Sequence, residues 1–587
     1  MDLARKENNF LVFAALTVIV FIVYGNALFN GFVYDDSYLI VDNGFIKGFS
    51  HLRAILLNDT TVTTSLGEAS GYYRPVPIIY LMITHKLWGV NPFGYHLQSI
   101  LLHLFSTCLV FLVIERLVRK RKVAFFSALI FAVHPIHVEA VAPAYNVMGL
   151  LATSFSLSFF LLYVKSRQEK HSTDFILSII CLILAMFSKE EAMILPLVVM
   201  LYDLYFVFHL RLENLLKDGH RYLWLILAGI LYLAMRHLAV NRETMMGLWH
   251  MNLYFNISPP PNDHVGWNLL IAAKVFFRYL HLLGFPVHLC AFQLVSTAWD
   301  FEMLSSVTVV LGLAILAFLW RTQYPKISFF IIFFFLSSLP VSNLIPIGGI
   351  FAERFMYFPS VSYCYLWGAC FAMALEKQQE ARCRSFCFIA LIGGAIIVFF
   401  YSLQTAMRNY TWRNNVALWE DTVRKSPQNM LPHLNLASAY YHNRRYEDAL
   451  KEYRAALAFP STQKPYLYNA IGKIYGMKGD YELALNEFKL VNATAPLFPE
   501  GYYNTGITYF HVGQYDGASA CFQKALEVDQ NYPWGYYGLG LVYEKNNKPT
   551  QAVEMFRKAI KKDPAFTQAQ NALMHLQAVP DHQEIRN

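Results

Sequence analysis

Apolar residues run almost unbroken from 10 to 29, and such blocks recur through the first 405 residues, parted by short basic loops. About 20 apolar residues cross a bilayer as a helix, so each block of that length predicts a membrane span. The basic loops are Arg119-Lys120-Arg121-Lys122, 165 to 170, 211 to 221, 321 to 326 and 377 to 384. Placing all five on the cytoplasmic side, where positive charge accumulates, brackets eleven spans near 10–29, 95–117, 123–139, 146–164, 174–188, 191–209, 222–240, 303–320, 327–345, 355–376 and 386–405. Arg5-Lys6 holds the start of the chain inside, so the loop after the first span is external, and so is the C-terminus. The first block outruns a signal-peptide core and lacks a small-residue cleavage pattern, so it is read as a span.

Two segments fit less simply. In 267 to 285, Lys274, Arg278 and His281 recur at i, i+4 and i+7 and make one cationic helical face. Charge is costly in lipid, so this helix is expected at the external interface or lining a cavity. The stretch 76 to 89, after Tyr72-Tyr73-Arg74-Pro75, is too short to span and is expected along the external surface.

Beyond residue 405 the pattern changes. Gly472, Gly506 and Gly540 are spaced by 34 residues, as are Tyr475, Tyr509 and Tyr543, Ala484, Ala518 and Ala552, and Phe488, Phe522 and Phe556. That is the tetratricopeptide period. Small residues let the two helices of a repeat approach, and aromatic residues fill the gaps. An earlier copy with Ala437, Tyr440, Ala449 and Tyr453 makes four repeats, and Asn415, Trp419, Thr422 and Pro427 read as an incomplete one. The expected division is a membrane domain over 1–405, a linker and partial repeat over 406–429, a repeat domain over 430–579 and a tail over 580–587. Tyr503 and Tyr537, with Trp534, Phe510 and His511 nearby, fall where first helices usually face the groove; they either grip an extended peptide or pack between repeats.

Composition agrees: 56% hydrophobic and 16% aromatic with 15% charged residues describes an all-α polytopic membrane protein. The net charge of +8 sits mainly in the topology loops, which argues against a nucleic-acid partner. Of eight cysteines, seven lie in or beside apolar blocks and Cys521 stands alone, so neither a disulfide framework nor a zinc site is indicated.

Five polar groups remain, all external by this topology: Asp35-Asp36, Arg74, His134-Pro-Ile-His137-Val-Glu139, Lys189-Glu190-Glu191 and Glu353-Arg354. Their convergence on one side hints at a shared cavity. Asp35 and Asp36 are either loop acids or catalytic; His134 and His137 suit backbone hydrogen bonding better than metal ligation, since no third ligand is evident. Lys189 and Glu190 are either a local pair at a helix junction or part of the site. Arg354 is shaped to hold a phosphate through paired hydrogen bonds. A carboxylate taking a proton from an acceptor hydroxyl, with Arg354 and Lys189 or Arg74 neutralising a lipid-phosphate leaving group, is a coherent reaction.

The strings Phe32-Val-Tyr-Asp35-Asp36, Tyr73-Arg74-Pro75, His134-Pro-Ile-His137-Val-Glu139-Ala, Lys189-Glu190 and Ala352-Glu353-Arg354-Phe-Met-Tyr357-Phe-Pro359-Ser360, followed by repeats, resemble the transmembrane and tetratricopeptide-repeat (TMTC) O-mannosyltransferases of the GT-C superfamily. The resemblance implies a polyprenyl- or dolichyl-phosphate sugar donor, mannose by analogy, a protein Ser or Thr acceptor engaged by the repeats, and no metal or other cofactor. It implies that an acid of the first external loop is the base, with Asp36 favoured over Asp35, that Arg354, Lys189 and Arg74 bind the donor phosphate, and that His134, His137, Glu139, Glu190 and Glu353 line the site. The array is short beside those of animal members, which leaves open a bacterial or archaeal relative with another lipid carrier or sugar; the chain is expected in the endoplasmic reticulum membrane if eukaryotic and in the plasma (inner) membrane if prokaryotic, its repeats lumenal or periplasmic. The four sequons at Asn58, Asn256, Asn409 and Asn492 do not choose between them, because chance alone gives such a number. Two rival functions stand beside this one: a non-catalytic membrane anchor for a repeat scaffold, and transfer of sugar to lipid or glycan.

Overall fold

A computed structural model describes residues 2–64, 71–240, 264–293, 295–296, 300–344, 351–377, 384–461 and 463–578. Every secondary-structure element among these residues is a helix, with no strand among them. The chain divides into two compact units, Met1–Ser426 and Pro427–Asn587.

In the first unit, six described helices are long and apolar enough to cross a membrane: Asn9–Phe29, Pro92–Val118, Ala144–Glu169, Gly219–Ala239, Phe301–Trp320 and Cys387–Trp412. A seventh is broken, Arg121–Val133 meeting Pro135–Val141 at 52°. The break falls at His134-Pro135, since proline supplies no N–H to continue the ladder. The other four expected spans are shorter helical pieces: Ser172–Ser188, Leu195–Tyr202 with the wider turn Asp203–Val207, Pro325–Ser338 and Val361–Lys377. The sequon at Asn409 is fully buried, its amide bonded to the Val23 carbonyl (3.0 Å) and Asn26 Oδ1 (2.7 Å), and so is closed to glycosylation in the fold. Asn256 lies outside the described residues.

The helix His264–Gly284 carries the expected cationic face, and that face is neutralised by protein. Lys274 Nζ reaches Asp300 Oδ1 at 2.8 Å and Arg278 Nε reaches Glu302 Oε1 at 2.6 Å. The adjoining face, with Ile271, Val275, Tyr279 and Leu282, packs on Phe351, Phe355 and Met356. Tyr279 stacks on Phe351 at 4.4 Å and donates to the Ala352 carbonyl (3.1 Å), which fixes the chain leading into Arg354.

The second unit contains four helix pairs, Met430–His442 with Tyr446–Leu457, Lys464–Lys478 with Tyr481–Thr494, Pro499–His511 with Tyr515–Val528 and Pro533–Lys545 with Pro549–Lys562, then Thr567–Ala578. The repeat glycines work as expected. A Cβ on Gly472, Gly506 or Gly540 would stand 2.6, 2.6 or 2.4 Å from the ring of Phe488, Phe522 or Phe556. Each of those rings is buried, a contribution of about 1.5–3 kcal/mol apiece. The helix Asn415–Lys425, read from sequence as part of a repeat, is grouped with the membrane unit.

Candidate active site

The loop after the first membrane helix is held at several points. Asn30 Nδ2 donates to the Asn409 carbonyl (3.0 Å) and the Gly31 N–H to the Arg413 carbonyl (2.9 Å). Tyr34 has φ +51°, in the left-handed region that bulky L-residues avoid. Asp36 is fully buried, and its carboxylate accepts from the Val33 N–H (2.8 Å) and the Tyr145 N–H (2.5 Å). Burial lifts its carboxyl to about 7 even against those donors. Asp35 is only half-buried. Burial lifts it to about 6, opposed by the Arg354 charge and a hydrogen bond from Tyr38.

Arg354 donates from its Nη1 and its backbone N–H to Glu139, which is fully buried. Burial works against its charge, but Glu139 and its neighbours hold it firmly cationic. Its neighbour Glu353 turns away. Glu353 accepts from Arg408 Nη2 (2.7 Å) and from the Cys290 N–H, buried on all sides, and burial raises its carboxyl despite Arg408. Two charges adjacent in sequence thus belong to two separate ion pairs in space.

Lys189 and Glu190 do not pair either. Lys189 Nζ meets Glu191 at 2.5 Å and lies 4.9 Å over the Phe355 ring. Glu190 accepts both Nε (2.9 Å) and Nη2 (2.5 Å) of Arg74, whose guanidinium stacks on Tyr72 at 4.2 Å. Burial opposes the Glu190 charge, yet Arg74 brings its carboxyl down to about 2. Fork-to-carboxylate geometry of this kind is rigid and directional.

A small cleft opens beside Lys189 and Arg354; Asp35, Asp36, Arg74, Glu139, Glu190 and Glu353 are not among its lining residues. Lys189, Glu191 and Arg354 line it together with Thr153 and Ser156 and an apolar wall that includes Ile194, Leu195 and Phe358. Thr153 and Ser156 were not singled out from sequence; Gly149, Ala152, Thr153 and Ser156 form a small-residue face at i, i+3, i+4 and i+7, the one signal that marks them.

His134 and His137 stand apart from the cleft lining, completely buried. His134 Nε2 donates to the Leu283 carbonyl (2.9 Å) and its Nδ1 accepts from the Ile136 N–H (3.2 Å). His137 Nδ1 donates to the Phe131 carbonyl (2.9 Å) while Nε2 meets Ser360 Oγ (2.9 Å). Two of the four ring nitrogens thus serve the bend at Pro135, one the end of the helix His264–Gly284 and one the loop after Arg354. In the repeat unit, Tyr503 packs on Phe522 and Trp534 (5.6 and 5.5 Å), and Tyr537 on Phe556 and Phe566 (5.7 and 5.4 Å), so these rings contribute to packing between repeats. His511 stacks on Tyr481 at 5.9 Å and Phe510 packs on Tyr515 at 5.5 Å.

Fold and site together define a multi-pass membrane protein with a charged cleft, followed by a tetratricopeptide-repeat unit. The family model for dolichyl-phosphate-mannose-protein mannosyltransferase matches residues 74–239, and tetratricopeptide-repeat models match 416–465, 508–547 and 533–566. The chain is similar to protein O-mannosyl-transferase TMTC3 of Mus musculus (25% identical, covering 76% of this chain and 51% of that one), TMTC1 of Homo sapiens (26%, 74% and 53%) and Tmtc3 of Drosophila melanogaster (27%, 86% and 60%). It spans between half and three fifths of the length of these curated relatives. Among solved structures, MamA is similar at 19% identity over 28% of this chain and 96% of that one, with a TM-score of 0.24.

Proposed function

We propose that this protein is a membrane glycosyltransferase that moves a monosaccharide, mannose by its likeness to the mannosyl-transferases, from a polyprenyl or dolichyl phosphate to Ser or Thr hydroxyls of acceptor proteins, with the repeats engaging the acceptor. The observation that carries this reading is the cleft itself: Lys189 and Arg354 beside an apolar wall, with Asp35 in the field of Arg354. An amphiphilic phosphate needs that combination.

Asp35 is the base in this reading. Its carboxylate takes the proton of the acceptor hydroxyl, the hydroxyl oxygen attacks the anomeric carbon, and the bond from that carbon to the phosphate oxygen breaks. The lipid phosphate departs with the electron pair, its charge met by Arg354 and Lys189. One displacement inverts the anomeric centre. Asp36, the acid favoured from sequence, has both carboxylate oxygens engaged by backbone and serves to shape the loop. Glu139 aims Arg354, and Glu190 aims Arg74 as a third cation outside the cleft lining.

The positive-inside assignment supports a lumenal or periplasmic site, in the endoplasmic reticulum of a eukaryote or the plasma membrane of a prokaryote. The test uses purified protein, labelled polyprenyl-phosphate mannose and acceptor peptides. Transfer that survives Asp35→Asn at the wild-type rate rules out the mechanism; transfer to lipid alone, independent of any peptide, rules out the acceptor.

A further inference from the structure

The helix Asn415–Lys425 and the turn before it lie far from the acid loop in sequence, yet they grip it. The Tyr34 N–H donates to Asn415 Oδ1 (2.8 Å), and the Tyr34 ring meets Trp419 edge-on (5.2 Å) and Tyr145 at 6.0 Å. Three residues earlier, the Gly31 N–H is held by the Arg413 carbonyl (2.9 Å). Tyr34 therefore keeps a left-handed backbone, φ +51°, that an aromatic L-residue does not choose unaided. Such a conformation persists only where its surroundings impose it.

The same stretch of chain also holds the other side of the site. Arg408 donates to Glu353 (2.7 Å) and to the Leu289 carbonyl (2.7 Å), and Lys425 Nζ reaches that same carbonyl (2.8 Å). Residues 408 to 425 thus bridge the loop of Asp35 and the loop of Arg354, the two groups whose separation decides proton transfer and phosphate departure. The proton-transfer chemistry itself asks nothing of this segment.

We propose that Asn415 and Trp419 position the base: they hold Tyr34 in its left-handed conformation, and through Tyr34 they set where Asp35 meets the acceptor hydroxyl. This rests on the transferase reading above. Neither residue touches the reacting atoms; both are positioning residues.

The experiment uses the full chain in lipid nanodiscs, assayed with labelled polyprenyl-phosphate mannose and an acceptor peptide. Asn415→Ala and Trp419→Leu are expected to lower kcat roughly 10- to 100-fold, the scale of a small misplacement, with KM for donor and peptide nearly unchanged. Asn415→Asp keeps an acceptor oxygen in a first helical turn, where an acid is favoured, and restores kcat. An unchanged kcat in Asn415→Ala, or a loss that Asn415→Asp leaves unrepaired, overturns the proposal. A wild-type chain that transfers no sugar overturns the transferase reading instead. The clamp is then read by amide exchange at residues 31 to 37: faster exchange in Asn415→Ala and Trp419→Leu supports it, and exchange as slow as wild type overturns it.

Discussion

Asp35 and Asp36 are adjacent, yet one is half-buried in the field of Arg354 while the other is sealed from solvent with backbone N–H groups of Val33 and Tyr145 on its carboxylate. The first has a carboxylate to offer a substrate. The second has a backbone donor of the surrounding loops on each oxygen.

Substitution separates these roles. Asp35→Asn is expected to cost about 10²–10⁴ in transfer rate with little change in thermal stability. Asp36→Asn puts an amide where donors converge, and is expected to destabilise by about 1–3 kcal/mol, read as a lower melting temperature. Equal melting temperatures with equal losses of activity would contradict the assignment.

The same pair sets opposite pH trends in rate and stability. With Asp35 lifted to about 6, the transfer rate should climb as pH rises through about 6, because the base must be ionised. With Asp36 lifted to about 7 from 3.8, the folded chain keeps a proton that the unfolded chain has released, so its contribution to stability is present below pH 3.8 and is lost as pH rises toward 7. Glu190 runs the other way: held at about 2, it contributes stability above its unfolded value of 4.5, lost as pH falls toward 2. Rate profiles between pH 4 and 8 and melts between pH 2 and 8 distinguish the three, and a flat profile for Asp35→Asn is the matching control.

Glu353→Gln strands Arg408, of which only 6% of the side chain is exposed, and should destabilise by about 3–5 kcal/mol. Arg354→Lys should instead melt near wild type and raise KM for the lipid donor, since a lysine cannot reproduce a planar fork. A donor KM unaffected by Arg354→Lys would argue against phosphate binding there.

In the repeats, Gly506→Ala drives a Cβ to within 2.6 Å of the Phe522 ring, which Gly538 already confines from another side, and should cost about 1–3 kcal/mol. Gly476→Ala meets nothing within 4 Å inside a helix and should stabilise by about 0.5–1 kcal/mol. Thermal melts of the full chain read both signs.

Topology is open to labelling at exposed positions. Lys47→Cys and Lys558→Cys should react with a membrane-impermeant maleimide from one side of sealed vesicles, and Lys120→Cys from the other. Lys47→Cys and Lys558→Cys labelled from opposite faces would separate acids from repeats and end the proposed function.

Periodic features were legible in the sequence because they repeat: apolar blocks, basic loops and the 34-residue spacing of Gly506 and Phe522 each follow from burial of a helix face. The polar strings were legible as candidates, since ionisable groups near a membrane need a reason to be there. The local pair read for Lys189 and Glu190 is not formed, and the other charges also find partners that sequence proximity does not suggest. Lys189 turned from Glu190 to Glu191, Glu190 to Arg74, Arg354 to Glu139 and Glu353 to Arg408. The bends at Lys189 and at Glu353 send neighbouring side chains in different directions, and which carboxylate each cation meets depends on helices far away in sequence.

By itself, then, the sequence determined that the chain is helical, crosses a membrane many times, ends in stacked repeats and keeps a few charged strings at membrane boundaries, because these follow from local periodicity and the cost of charge in lipid. Only the tertiary structure decided which acid of two is accessible, which histidines are used up in holding the backbone, and that residues 408 to 425 return to grip the loop at Tyr34. Accessibility and charge pairing are set by long-range contacts, and no local pattern encodes them.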